Sequence, residues 1–317
     1  LLLFSKRSAF FLFFFEKRTK SVHSPIGRAV HRLFELHGHR GARGLWPENT
    51  LQGFMGALSL GVSAVEMDVA LTADGVVVLS HDPILDPSLT RGPDGRWIEP
   101  PGPLLRHIDY GALQAFDVGR IRRDTAQASA FPAQQELDGV RLPTLAEVVA
   151  LEPPVMLAIE LKTFPDHPDW TVPPQAMADA VLAVLDAAGA AGRSRIISFD
   201  WRGLRYLRGI RPELSLGYLT DAETTAAARL WWDGPAPEDF GGSVPRAVAA
   251  EGGTVWGPDH ATLTKPAVEE AVALGLLVNP WTVNAPEDMA RLIGWGVGAL
   301  TTDYPDRARS VMTARGL

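Results

Sequence analysis

The sequence predicts a (β/α)8 TIM barrel with an insertion after a hairpin on its second strand. Short apolar runs alternate with helical patterns along the chain, which favours βα units and a parallel sheet. Eight such runs fall within roughly 280 residues, and barrels of this kind take about 250 residues plus insertions. No G-x-G-x-x-G follows the first run, which makes an open doubly wound sheet the weaker alternative.

In chain order, the first strand is expected over Leu33–His39, a helix over Thr50–Leu60 and the second strand over Ala64–Leu71. A further apolar run, Val76–Ser80, follows Thr72-Ala73-Asp74-Gly75. Asp-Gly is a hairpin turn signal, so this run folds back antiparallel on the second strand instead of forming a ninth stave. That return brings His81 near Glu66 and Asp68. From Pro83 to about Leu142 the chain is rich in Pro, Gly and charge, lacks periodicity and is too long for a plain connection. It reads as an insertion over one barrel end, where such segments often cover a site.

The remaining strands are expected over Val155–Leu161, Arg195–Phe199, Leu214–Leu219, Thr254–Trp256, Leu276–Val283 and Val297–Thr302. The helices among them are expected over Leu145–Leu151, Pro174–Ala188, Trp201–Ile210, Val244–Ala250, Pro266–Leu274 and Pro286–Trp295. Residues 29–317 thus form one barrel domain, with the insertion at about 83–142. Residues 1–28 stand apart. Their apolar run Ala9–Phe15, between Lys6-Arg7 and Glu16-Lys17-Arg18, is far shorter than the roughly 20 residues a membrane span needs. It reads as a poorly ordered leader, with a remnant export signal or an interfacial anchor as alternatives, so cytoplasm and periplasm both stay open.

Of the 317 residues, 46% are hydrophobic and 21% charged, the balance of a soluble globular enzyme. A net charge of −7 argues against a nucleic-acid partner. The lack of cysteine excludes disulfides, thiolate metal sites and a cysteine nucleophile.

Two strands carry charge at i and i+2: Glu66-Met67-Asp68 and Glu160-Leu161-Lys162. Such residues point to one face of a strand. Three carboxylates and a lysine converging at strand ends are costly unless their charge is offset, and a divalent cation with a phosphate would offset it. An oxygen-only donor set of Glu66, Asp68 and Glu160 favours Mg²⁺ or Ca²⁺ over zinc. Taken alone, the E-x-D pair also fits edge charges, and Glu160 also fits a simple pair with Lys162.

His39-Arg40-Gly41 closes the first strand, and Pro47-Glu48-Asn49-Thr50 opens the helix. Asn49 or Thr50 caps that helix, whose N-terminus could then face an anion. Arg40 adds a planar donor suited to phosphate. His39 also fits a hydrogen-bonded core histidine, the reading given to His31 and His37. Trp46, Trp256 and Trp281 are candidates to line a pocket, and Asp303 is expected to cap the last helix, with a binding role as the alternative.

H-R-G-x5-P-E-N-T (His39–Thr50), E-x-D, His81-Asp82, E-x-K, W-T-V-N (Trp281–Asn284) and T-D-Y-P (Thr302–Pro305), in this order, resemble the glycerophosphodiester phosphodiesterase family. The resemblance runs from Gly38 to about Arg307. It implies a (β/α)8 barrel, one divalent cation and cleavage of a small glycerophosphodiester to sn-glycerol 3-phosphate and an alcohol. By the same resemblance, Glu66, Asp68 and Glu160 match the metal ligands and His39 and His81 the catalytic pair. Arg40 and Lys162 match phosphate binders, and Trp281 a residue on the glycerol or leaving-group side. Glu48 lies near the site. Gly298 stands where the family commonly has an aspartate, outside the catalytic pieces. The family resemblance also implies attack by the substrate's own 2-hydroxyl through a cyclic phosphate. A lysophospholipase D, a sphingomyelinase-D-like enzyme and a non-catalytic phospho-ligand barrel are the rival readings.

Overall fold

The computed structural model describes residues 34–317; the leader and the first residue of the first expected strand lie outside the described residues. The strands are β1 (Glu35–Gly38), β2 (Ala64–Leu71), β3 (Val77–Leu79), β4 (Met156–Leu161), β5 (Ser194–Ser198), β6 (Ser215–Thr220), β7 (Val255–Pro258), β8 (Leu277–Val278) and β9 (Ala299–Thr302). Eight of them run parallel in the order β8-β7-β6-β5-β4-β2-β1-β9, and β3 pairs only with β2. The last gap is bridged by backbone bonds from Gly298 N to Val278 O (3.2 Å), Thr301 N to Pro280 O (3.1 Å) and Val283 N to Thr301 O (2.9 Å). The result is a (β/α)8 barrel.

The expected strand Leu276–Val283 is regular only over β8. Pro280 has no N–H to give a ladder, and beyond it the chain makes only scattered parallel contacts, such as Asp259 with Trp281. The hairpin forms as its sequence implies. Val69 pairs with Leu79 and Leu71 with Val77, antiparallel, around a turn in which Gly75 takes φ +78°.

Outside the barrel, helices bury one apolar stripe each against the strands. In Pro174–Ala187, proline opens the helix and Met177, Ala178, Val181, Leu182 and Leu185 face inward. Helix Trp201–Ile210 is capped by Asp200, which accepts from Arg202 N, and its Trp201 stacks on Trp232 with ring centroids 4.0 Å apart. Truncating one such buried leucine, Leu204 for example, costs about 2–5 kcal/mol.

The segment between β3 and β4 is folded, not a plain loop. It contains helical turns at Leu105–His107, Tyr110–Leu113 and Ala126–Ala130. Leu85, Leu105, Leu113 and Leu142 pack with Ala70 and Val78 of the hairpin into a separate small core. From there it reaches the chain after β1: Gln127 Nε2 donates to Glu48 (3.2 Å), Gln134 Nε2 to Arg43 O (2.7 Å), and the Arg43 guanidinium lies over Phe131 at 4.7 Å.

Candidate active site

The H-R-G turn after β1 sets the site's first wall. Gly41 is required there: its φ is +87°, and a Cβ would sit 2.7 Å from the backbone carbon of Gly53. Arg40 itself takes φ +49°, unusual for a residue with a side chain. This conformation aims its N–H at Glu66 Oε2 (3.0 Å) while the guanidinium reaches Glu48 Oε1 (2.9 Å). Its Nε lies 3.1 Å from Asp68 Oδ2, an ion pair not aligned for a hydrogen bond.

The registers β1–β2–β4 bring the carboxylates together. Asp68 stands beside Glu160 in the sheet, with Glu66 one inward-facing position below Asp68. Among the described residues, Glu66, Asp68 and Glu160 offer oxygens within 4.8 Å of one another, and all are buried. Lys162 Nζ lies 2.8 Å from Glu160 and 3.8 Å from Asp68.

The electrostatics follow from this crowding. Burial, together with Asp68 and Glu160, holds the Glu66 carboxyl well above the usual carboxylate range. Glu160 is pushed up to about 7, burial outweighing the nearby Lys162. Asp68 is also buried, but Arg40, His81 and Lys162 and the Asn49 amide hold it well below the ordinary value. An all-oxygen trio on which protons compete at neutral pH fits a hard dication.

His39 has a buried ring whose Nδ1 lies 2.6 Å from Asp303 Oδ1 and whose Nε2 lies 3.8 Å from Glu66 Oε2. Burial pushes its pKa down to about 4, with Arg43 and Arg40 adding to the shift and Asp303 opposing it. His81 follows β3, half-buried, with Nδ1 held by Asp82 Oδ1 at 2.8 Å. Partial burial and the charges of Lys162 and Arg40 lower its pKa too.

His39, Arg40, Glu66, His81, Glu160, Lys162 and Trp281 line one cavity of about 170 Å³, while Asp68 is set behind them, its carboxylate held by Asn49, Arg40 and Lys162. The wall facing the charged groups is apolar: Ile197, Phe199 and Leu219, with Trp281 edge-on to Phe199 at 5.3 Å.

Three sequence expectations need correction. Asp303 does not cap the last helix, Pro305–Ala314, which has Tyr304 at its start. Its carboxylate is instead taken by His39, by Arg43 Nε (3.0 Å) and by Asn284 Nδ2 (2.7 Å). Of the two expected cap candidates, Thr50 caps helix Leu51–Ser59, and Asn49 turns its amide to Asp68 (3.0 Å). That helix start is not part of the cavity wall, so it does not face an anion there. Trp46 packs on Gly56, and Trp256 donates to Thr220 Oγ1 and lines a separate hollow with Pro258 and Leu263, so of the three tryptophans only Trp281 lines this cavity.

Arg43, Asn49, Phe199 and Asn284 are site neighbours that sequence reasoning did not assign, and Asp303 is expected there only as the alternative to the cap. For Asn284 and Asp303 a signal existed, since both lie inside the W-T-V-N and T-D-Y-P pieces.

A barrel that gathers a buried carboxylate trio, two histidines and two cations at the C-terminal ends of its strands is built as an enzyme for an anionic substrate. A family model described as the glycerophosphoryl diester phosphodiesterase family matches residues 39–307, and the chain belongs to that family. It is a phosphoric diester hydrolase acting on glycerophosphodiesters. A glycerophosphodiester phosphodiesterase of Bacillus subtilis is 28% identical over 275 residues, spanning 84% of this chain and 83% of the relative. A crystal structure from Silicibacter pomeroyi, which carries the provisional name glycerophosphoryl diester phosphodiesterase, is 36% identical with a TM-score of 0.82, covering 92% of this chain and 96% of that one. An Oleispira antarctica phosphodiesterase, solved in complex with the product sn-glycerol-3-phosphate, shares the fold at 23% identity and TM-score 0.66, covering 89% of this chain and 97% of its own. No helix of the described residues is long and apolar enough to cross a membrane.

Proposed function

We propose that the enzyme cleaves glycerophosphodiesters to sn-glycerol 3-phosphate and an alcohol, with His39 as general base, His81 as general acid and a divalent cation held by Glu66, Asp68 and Glu160. The observation that carries this reading is the convergence of both histidines, Arg40 and Lys162 on the one cavity that Glu66 and Glu160 also line. An ion on those oxygens would stabilise negative charge developing on the phosphate.

The histidine roles rest on their surroundings. Asp303 is acceptor-only, so His39 Nδ1 carries the hydrogen and Nε2 presents a lone pair toward the cavity. Burial keeps that ring neutral. His39 therefore takes the proton of the attacking hydroxyl, which the family resemblance assigns to the substrate's own 2-hydroxyl. As that oxygen bonds to phosphorus, the bond to the leaving alcohol breaks. Protonated His81, at the more open side of the cavity with Asp82 holding its Nδ1–H, gives its Nε2 proton to the departing oxygen. Water, losing a proton to the now neutral His81, then opens the cyclic phosphate to sn-glycerol 3-phosphate, while His39 returns its proton to the 2-oxygen. Arg40 and Lys162 balance the remaining phosphate charge.

The reaction is tested by following release of glycerol 3-phosphate from glycerophosphocholine with Mg²⁺, with Ca²⁺ and with chelator. Release with one or both metals and none with chelator is the expected result. Release unaffected by thorough chelation overturns the metal assignment. Turnover of lysophosphatidylcholine without any of glycerophosphocholine moves the enzyme to lipid substrates.

A further inference from the structure

The cavity reaches below the histidine level, where its floor carries the polar pair Asn279 and Thr301 beside the apolar Val255. Barrel interiors are ordinarily filled by layers of branched side chains. Here two inward positions are glycine. A Cβ at Gly217 would lie 2.7 Å from Ile197 Cγ2, and one at Gly257 would lie 2.6 Å from Leu219 Cδ2. Their absence leaves a shaft with Asn279 and Thr301 among its lining residues.

A chain of bonds fixes the polarity of that floor. Arg195 Nη1 lies 2.8 Å from Glu35 Oε2, so Glu35 is ionised and only accepts. His37 Nε2, 2.9 Å from the same carboxylate, must carry a hydrogen. Burial keeps the ring neutral, so its Nδ1 only accepts. Asn279 turns its Nδ2 to that nitrogen, at a long 3.5 Å, which points Oδ1 at Thr301. An amide oxygen only accepts, so Thr301 Oγ1, 3.2 Å away, spends its hydrogen on it. Toward the cavity, Thr301 can then only accept, while Asn279 keeps a second amide hydrogen to donate. An acceptor beside a donor is the complement of one hydroxyl group.

The depth also matches. Thr301 precedes Asp303 by two residues, which at about 3.3 Å per residue places it some 6–7 Å below the His39 level. Five bonds of about 1.5 Å separate phosphorus from the terminal oxygen of a glycerol arm, a span of roughly 6 Å.

We infer that Thr301 and Asn279 bind the terminal hydroxyl of the substrate's glycerol arm and thereby select glycerol among phosphodiester arms. The inference rests on the phosphodiesterase reading above. It adds the two residues that would read the sugar-alcohol end.

The test compares glycerophosphocholine with 2-hydroxypropyl phosphocholine, which keeps the 2-hydroxyl and lacks the terminal one. Wild-type enzyme is expected to favour glycerophosphocholine in kcat/KM by about tenfold or more, because a site built to bond a hydroxyl rejects the analogue without it. Thr301→Val is expected to bring the two substrates within about twofold, and Thr301→Ser to keep the preference. Equal turnover of both by wild type, or an undiminished preference in Thr301→Val, overturns the inference alone. Turnover of neither by folded wild type overturns the phosphodiesterase reading instead. Should Thr301→Val fail to fold, the wild-type ratio still decides. Gly217→Ala, which narrows the shaft from the β6 wall, then supplies the second arm and is expected to weaken the preference.

Discussion

The carboxylate of Asp303 holds Nδ1 of His39 at 2.6 Å across 264 residues of sequence. Every neighbour of that carboxylate is a donor: His39 Nδ1, Arg43 Nε and Nη2, and Asn284 Nδ2. An amide in its place would set its own NH₂ against at least one of them. Asp303→Asn is therefore expected to loosen the His39 tautomer and to cost about 1–3 kcal/mol of stability through the unpaired donor. Activity should fall by about 10²–10⁴-fold, the range general-base catalysis contributes, and mainly in kcat. A variant with wild-type kcat and raised KM would show that Asp303 serves binding and not His39.

The assigned roles of the histidines separate with leaving-group chemistry. A p-nitrophenyl leaving group departs without a proton, whereas choline needs one. His81→Ala should lose most activity on glycerophosphocholine and much less on the nitrophenyl diester of glycerol phosphate. His39→Ala should lose both. Equal losses on both substrates for His81→Ala would remove it as the acid.

The pH profile carries the sign of the His39 shift. The neutral ring is the active form, and its pKa is pushed down to about 4, so it stays neutral well below the ordinary histidine value near 6.5. At saturating dication, the acid limb of kcat/KM should thus fall well below pH 6. An acid limb near 6.5 would place His39 in a wetter setting than the structure gives it.

Two of the three site carboxylates shift the other way. Burial and its carboxylate neighbours shift Glu66 in that direction. At neutral pH with no cation bound, Glu160, at about 7, still binds protons on part of the molecules. Cation binding must expel them, so apparent affinity should rise with pH through 7. Titration calorimetry at pH 7 in buffers of different ionisation enthalpy should report net proton release. Heats independent of the buffer would contradict the raised values.

The difference between what was legible and what was not is a difference of sequence range. The E-x-D and E-x-K spacings are period-2 statements within single strands, and the Asp-Gly turn fixes β3 locally. Each needs only a few residues, and parallel pairing of β2 with β4 then brings Asp68 beside Glu160. The Asp303–His39 contact depends instead on β9 lying beside β1, Gly38 against Thr302, which exists only once the barrel wraps round. Helix-capping logic assigns Asp303 to its nearest helix because that logic sees only neighbours in sequence. The insertion was opaque for a related reason: Leu85, Leu105, Leu113 and Leu142 form a core only with Ala70 and Val78 of the hairpin, so no periodicity of its own announces it.

Asn49 offers a prediction in which backbone and side chain come apart. Its φ of +52° is a conformation that asparagine tolerates and alanine does not. Its amide grips Asp68 from both sides, donating to Oδ2 (3.0 Å) and accepting from the backbone N–H (3.3 Å). Asn49→Ala loses both features: about 1–2 kcal/mol for the left-handed backbone and about 1.5–3 kcal/mol for the bond to a charged group. Asn49→Gly loses only the second. Thermal unfolding should rank wild type above Asn49→Gly and that above Asn49→Ala. Dication affinity should drop alike in both variants, since each frees Asp68 equally. Equal destabilisation by the two substitutions would mean the backbone at residue 49 stores no strain, and unchanged cation binding would mean Asp68 is positioned without Asn49.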